Sequence, residues 1–146
     1  MREFIQNMID AGLADVISSP VSSNQEAAQL AFSTDKMLVL EDLEGHKAVM
    51  NTVVDRRSLS VALKIPEGDL VKRLAACTFS GEVTDSGSLA FEAADLSKIP
   101  ILKHFPKDAG RYLTTGIVFS AFEGVENASI HRLLVKDDTH LVGRIG

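Results

Sequence analysis

A change of texture near residue 80 decides what this 146-residue chain can fold into. Before it, apolar residues recur at helical spacing and alternate with short apolar runs bounded by acidic residues and glycine. After it, short alternating segments are broken by Ser-Gly, Pro, Gly and Asp-Asp, the punctuation of β structure. Alternating helices and strands followed by strands alone define an α+β chain. The expected organisation is an N-terminal α/β domain over residues 1–80 and a mainly β domain over 81–146. At this length a chain buries roughly 70% of its unfolded surface, so a true core is available.

Phe4, Ile5, Met8, Ile9 and Leu13 stand at helical spacing with Gly12 near the end, which predicts a first amphipathic helix over 3–13. Ser18-Ser19-Pro20 breaks it off. Ser23 lies three residues before Glu26, a capping-box spacing that opens a helix over 27–32. Residues 36–40 and 47–54 read as strands. Asp55 is placed to cap a helix through 58–63, and Pro66-Glu67 opens another with Leu70, Val71 and Leu74 on one face. Further strands are expected at 89–92, 112–120, 128–135 and 139–145, with Lys136-Asp137-Asp138 turning the last two into a hairpin.

Fifteen basic against twenty acidic residues give a net charge of −5, the wrong sign for a protein whose main partner is nucleic acid. No segment approaches the roughly 20 apolar residues of a membrane span. The opening Met-Arg-Glu-Phe lacks the apolar core of a secretory signal, and a cytoplasmic location is expected. Cys77 is alone, which excludes an internal disulfide and a cysteine zinc site, and it is expected as a small buried apolar residue. The four histidines form no metal-box spacing, and neither a Gly-x-Ser-x-Gly elbow nor a Walker loop is present.

Two segments carry candidate chemistry. Lys103, His104, Lys107 and Arg111 gather positive charge around Pro106 and Gly110, either as an anion-binding loop or as a solvated one. Thr114-Thr115-Gly116 then offers two hydroxyls and a close-approach glycine, though Thr is also an ordinary strand residue. In 127–135, strand alternation sends Asn127, Ser129 and His131 to one face and Ile130, Arg132 and Leu134 to the other. A guanidinium sharing a face with Ile and Leu needs a partner or a ligand if buried, and nothing if exposed. A β-bulge that re-aims a side chain is one physical solution.

The run Ile99-Pro100-Ile101-Leu102-Lys103-His104-Phe105-Pro106-Lys107-Asp108-Ala109-Gly110-Arg111-Tyr112-Leu113-Thr114-Thr115-Gly116, then Asn127-Ala128-Ser129-Ile130-His131-Arg132, then Thr139-His140-Leu141-Val142-Gly143-Arg144-Ile145, resembles the cofactor-binding domain of UbiD-type decarboxylases. Val53-Val54-Asp55-Arg56 and residues 66–74 resemble, more weakly, the N-terminal α/β domain of that family. The family uses prenylated flavin mononucleotide (prenyl-FMN) to remove or add carbon dioxide on α,β-unsaturated or aromatic carboxylic acids. Within it the likeness runs to archaeal members, one branch of which decarboxylates trans-anhydromevalonate phosphate.

The resemblance implies that residues 81–146 form the first strands of a split β-barrel that binds flavin. It implies that Thr114, Ser129, Ile130 and Arg132 line the cofactor, and that Asn127 gives an oxygen to a divalent metal, Mn or Mg, on the cofactor phosphate. A monovalent cation belongs to the same implied set. Arg132 matches the arginine beside the reacting carboxylate in a Glu-Arg-Glu network. In the family the other metal ligands, a His and a Glu, and both catalytic Glu residues fall after the position of Ile145. The resemblance therefore implies a fragment or a small subunit that needs the remainder of a UbiD-type chain or a complementary subunit, within a homo-oligomer. On its own the chain is expected neither to hold prenyl-FMN tightly nor to turn over. The alternative is a non-catalytic binding or regulatory module that captures an anionic metabolite in the 103–111 loop.

Overall fold

In the computed structural model, residues 1–78, 93 and 95–144 are described. The first helix, α1 (Arg2–Asp10), buries Met8 completely. It stops where expected. Gly12 takes φ +69°, the Gly12 amide donates to the Ile9 carbonyl and Leu13 to the Met8 carbonyl, both at 2.9 Å, so a left-handed glycine closes the last turn. Strand β1 (Ala14–Ile17) follows directly, in a place where the sequence predicts only a break.

After β1 the chain crosses through α2 (Glu26–Phe32) to β2 (Met37–Leu43), which pairs parallel to β1 with Ala14 opposite Met37 and Ile17 opposite Leu40. The two-residue turn Glu44-Gly45, with φ +53° and +85°, returns it antiparallel as β3 (His46–Met50). The core fills one face of this sheet: Val21, Ala27, Leu38, Leu40 and Leu43 are buried against one another. Leu102 packs on the same cluster from the far end of the chain.

The start of α2 departs from the capping expectation. Ser23 does not cap it; the Ser22 amide donates to Glu26 Oε2 at 2.8 Å, while the buried Ser23 gives its amide to Glu44 Oε1 at 2.8 Å. Helix α3 (Arg56–Leu63) is capped as predicted: Asp55 Oδ1 accepts the Ser58 amide at 2.7 Å and Ser58 Oγ accepts the Asp55 amide at 2.9 Å. Beyond Pro66 a 3-10 turn, Glu67–Asp69, precedes a short α4 (Leu70–Ala75). Only Leu70 of its apolar residues is buried; Val71, Leu74 and Cys77 are exposed, which corrects the buried reading of Cys77. Six residues are too few to keep a whole apolar stripe against a neighbour.

The strand expected at 89–92 and the boundary near residue 80 lie outside the described residues. From Leu96–Lys98, a second 3-10 turn, the chain runs back along the first sheet. The Lys103 amide donates to the Ser23 carbonyl at 3.0 Å and the Gln25 amide to the Lys103 carbonyl at 2.8 Å. Then β4 (Tyr112–Phe122), β5 (Val125–Val135) and β6 (Leu141–Gly143) form an antiparallel meander. Its β4–β5 turn is Glu123-Gly124, both at positive φ, which suits the twist of a two-residue hairpin. Among the described residues no helix is long and apolar enough to cross a membrane.

Candidate functional site

The second sheet positions the candidate residues, and its register settles their faces. Ile130 lies opposite Ile117, and Leu134 opposite Tyr112 and Val142, so Ile130, Arg132 and Leu134 share a face with these three. Asn127, Ser129 and His131 occupy the reverse face, as alternation predicts. Between Leu113 opposite Leu133 and Gly116 opposite His131, two residues of β4 face one of β5. Thr114 and Thr115 are thus a bulge against Arg132, the device that redirects side chains at the position where the guanidinium leaves the strand.

Arg132 divides two concavities. On one side is a hollow of about 570 Å³ walled by Tyr112, Ile130, Leu134, Val142 and Arg144. On the other is a cavity of about 140 Å³ that it shares with His104, Phe105, Asp108, Tyr112 and Thr114. Its guanidinium carbon lies 6.0 Å from the centre of the Tyr112 ring, within reach of a cation–π attraction. Among the described residues it has neither a carboxylate partner nor a side-chain hydrogen bond. Tyr112 was not singled out from the sequence, because its place beneath Arg132 depends on the cross-strand register.

The predicted site residues are partly assembled. Arg132, Ile130 and Thr114 converge on the two hollows flanking the guanidinium. Asn127 stands on the other face, exposed, opposite Ser120. Ser129 is beside it and is engaged by His131, with Oγ 2.7 Å from Nε2. Neutral oxygens at Asn127 and Ser120 are hard donors suited to Mn or Mg. The described residues contain no group of three His, Cys, Asp or Glu side chains placed to hold a metal.

Turn chemistry fixes the edges of this sheet. Asp137 Oδ1 accepts the amides of Thr139 and His140 at 3.0 and 2.9 Å and lies 2.7 Å from His140 Nδ1. The Thr139 amide first, then the His140 ring, hold its carboxyl down at about 2. Leu133 spans the width of the meander: a Cβ at Gly143 would sit 2.6 Å from its Cδ2, and one at Gly116 would sit 3.2 Å from its Cδ1. A side chain at either position would therefore press on the tip of Leu133.

Comparison with known proteins gives this arrangement a family. The model for the 3-octaprenyl-4-hydroxybenzoate carboxy-lyase N-terminal domain matches residues 5–78, and that for the Rift-related domain of the same carboxy-lyase matches 79–146. The chain belongs to the UbiD family. It is 38% identical to anhydromevalonate phosphate decarboxylase of Methanosarcina mazei, over 99% of this chain and 35% of that protein. It is 32% identical to the Archaeoglobus fulgidus protein of the same name, over 99% of this chain and 36% of that protein. Among solved structures it resembles the UbiD-class enzyme HmfF of Pelotomaculum thermopropionicum in complex with FMN, with TM-score 0.78 and 27% identity over 99% of this chain and 36% of that one. An evolved dimeric form of HmfF in complex with prFMN gives TM-score 0.80 at the same identity, over 99% of this chain and 38% of that one. The chain thus spans about a third of the length of the relatives it matches.

Proposed function

We propose that this chain supplies the N-terminal α/β domain (1–80) and the first flavin-facing strands (81–146) of a prenyl-FMN-dependent decarboxylase acting on an unsaturated carboxylic acid. The observation that carries the reading is Arg132: an exposed guanidinium with no acid partner among the described residues, set on an aromatic ring between two hollows. The larger hollow is of the size that holds a drug-sized ligand, about 300–1,000 Å³. Its floor of Ile130, Leu134 and Val142 beside Arg132 and Arg144 suits an aromatic ring system that bears an anionic tail. The residues present fit a flavin.

Prenyl-FMN, when bound, supplies the electron sink that accepts the pair left behind as carbon dioxide departs. Within the proposal, the chain's own residues bind and orient. Ile130 and Val142 give an apolar surface, and Thr114 presents its hydroxyl at the bulge. Arg132 offers two parallel N–H donors to a carboxylate, holding it against the cofactor face. The Tyr112 ring limits the directions the guanidinium can take, which preserves that geometry. Ser129, locked to His131, is assigned to the cofactor through the strand that carries it. For the divalent ion, Asn127 supplies one neutral oxygen and does not suffice alone, so the remaining donors and any monovalent-cation site belong to other residues. The proposed setting is cytoplasmic and homo-oligomeric, with the remainder of a UbiD-type chain or a complementary subunit completing the site.

A non-catalytic anion-binding module built on Lys103 and Arg111 is less well supported. The backbone of Lys103 is tied to Ser23 and Gln25, and neither Lys103 nor Arg111 borders either hollow flanking Arg132. The test is to load the protein expressed from its complete gene with reduced prenyl-FMN and Mn²⁺. Arg132→Ala is expected to lower turnover about a hundredfold or more with cofactor stoichiometry unchanged, the usual scale for losing a positioned electrostatic group. Full turnover by Arg132→Ala overturns the proposal.

A further inference from the structure

The end of β3 and the segment that leads into β4 enclose a cleft of about 360 Å³, within the range of whole-ligand pockets. Val49 and Met50 border it from β3, and Ile99, Pro100 and Leu113 from the later segment. Among the described residues no Asp, Glu, Lys or Arg lines it, although 24% of the chain is charged. Such a lining selects for neutral groups, because a charge brought into it would lose water without gaining a partner.

Both sides of the cleft are held by the fold itself. The Ile101 amide donates to the Ile99 carbonyl at 2.8 Å, closing a tight turn over Pro100, and the Tyr112 amide donates to the Leu102 carbonyl at 3.0 Å. Opposite, Asn51 follows β3 at φ +51°, a conformation that asparagine tolerates, and its Nδ2 donates to the Ala31 carbonyl at 2.7 Å, which ties the strand end to α2. Val49 pairs with Val39, on the sheet face away from the buried Leu38 and Leu40, and Ile99 is left 46% exposed. Neither side chain is needed to fill the core.

The cleft also meets the small cavity beside Arg132, since His104, Tyr112 and Thr114 border both. The guanidinium thus stands at one end of a space whose other end carries no charge. We propose that the cleft is a specificity pocket for the carbon body of the substrate, taking a neutral, largely apolar group whose size Val49 and Ile99 set, while Arg132 meets the carboxylate. The inference deepens the decarboxylase reading and rests on it for the identity of the group at Arg132. It places the substrate body across Arg132 from the larger hollow assigned to the flavin, and any second charged group of the substrate outside the cleft.

The experiment is ligand-observed NMR titration of the protein expressed from its complete gene with acetate, hexanoate and hexylammonium, in the wild type, Ile99→Asp, Val49→Trp and Ile99→Leu. Hexanoate is expected to bind at least tenfold more tightly than acetate, since each buried methylene is worth about fourfold. Ile99→Asp and Val49→Trp collapse that ratio while acetate binding, which reports that each variant is folded, stays nearly unchanged. Ile99→Leu keeps the ratio. Hexylammonium, with the same body and the wrong charge for Arg132, binds at least tenfold more weakly than hexanoate. Four outcomes overturn the proposal: a ratio near one in the wild type, a ratio that survives both Ile99→Asp and Val49→Trp, equal binding of hexylammonium, or displacement of hexanoate by FMN, which would give the cleft to the cofactor. Uptake of prenyl-FMN is scored separately. A protein that ranks these ligands through Ile99 and Val49 yet never loads prenyl-FMN keeps the pocket and loses the decarboxylase reading; one that loads and turns over without any preference for hexanoate keeps the reading and loses the pocket.

Discussion

Replacing Gly143 by alanine tests whether the edge of the second sheet is packed as described. The new Cβ would lie 2.6 Å from Leu133 Cδ2, far inside contact distance, so Leu133 must move. Its way out is toward Gly116, where Cδ1 already sits 3.2 Å from the place a Cβ would take. Overpacking of this kind costs about 1–3 kcal/mol. Loss of glycine freedom in the unfolded chain returns about 0.4–1 kcal/mol. The net expectation is a destabilisation of about 1–2 kcal/mol, read from urea unfolding by linear extrapolation. Gly116→Ala combined with Gly143→Ala closes the escape route, so the pair should cost about 1 kcal/mol more than the sum of the singles. Leu133→Ala in the double background should remove that excess. A neutral Gly143→Ala, or strict additivity in the double variant, would mean that Leu133 does not bridge the two strands.

Ser58→Ala should destabilise by about 1–3 kcal/mol in thermal melts, because it strands the Val54 and Asp55 amides that Ser58 Oγ accepts at 3.0 and 2.9 Å. Asp137 has a folded value depressed from the ordinary 3.8 to about 2, so the stability it lends is complete above 3.8 and disappears as pH falls through about 2. Acid titration followed by NMR of the Thr139 and His140 amides should show the β5–β6 turn loosening in that window, and Asp137→Asn should abolish the pH dependence.

Short-range chemistry was legible in the sequence. Asp55 and Ser58 cap one another across three residues, Gly12 ends α1, and the parity of Asn127 to Leu134 follows from strand alternation alone. Partners far apart in sequence were not. Ser23 binds Glu44, twenty-one residues away, in preference to the Glu26 that spacing suggested. Strand β1 carries Asp15 amid only three apolar residues and owes its extended form to pairing with β2. Of the candidate residues, the faces they share could be read in advance. The Thr114–Thr115 bulge, the Tyr112 ring under Arg132 and the small cavity beside it come from register and loop path, which no local pattern encodes.

The hydrogen bonds running from Glu44 through Ser23 to Lys103 have a mechanical consequence for recognition. Glu44 is held in its charged form chiefly by the Ser23 amide, and the strand segment it steadies grips the backbone next door to His104. The first sheet thereby sets how far the imidazole can drift. Severing that tether by Glu44→Ala should be felt as faster amide exchange at Lys103 and His104 before it is felt as unfolding.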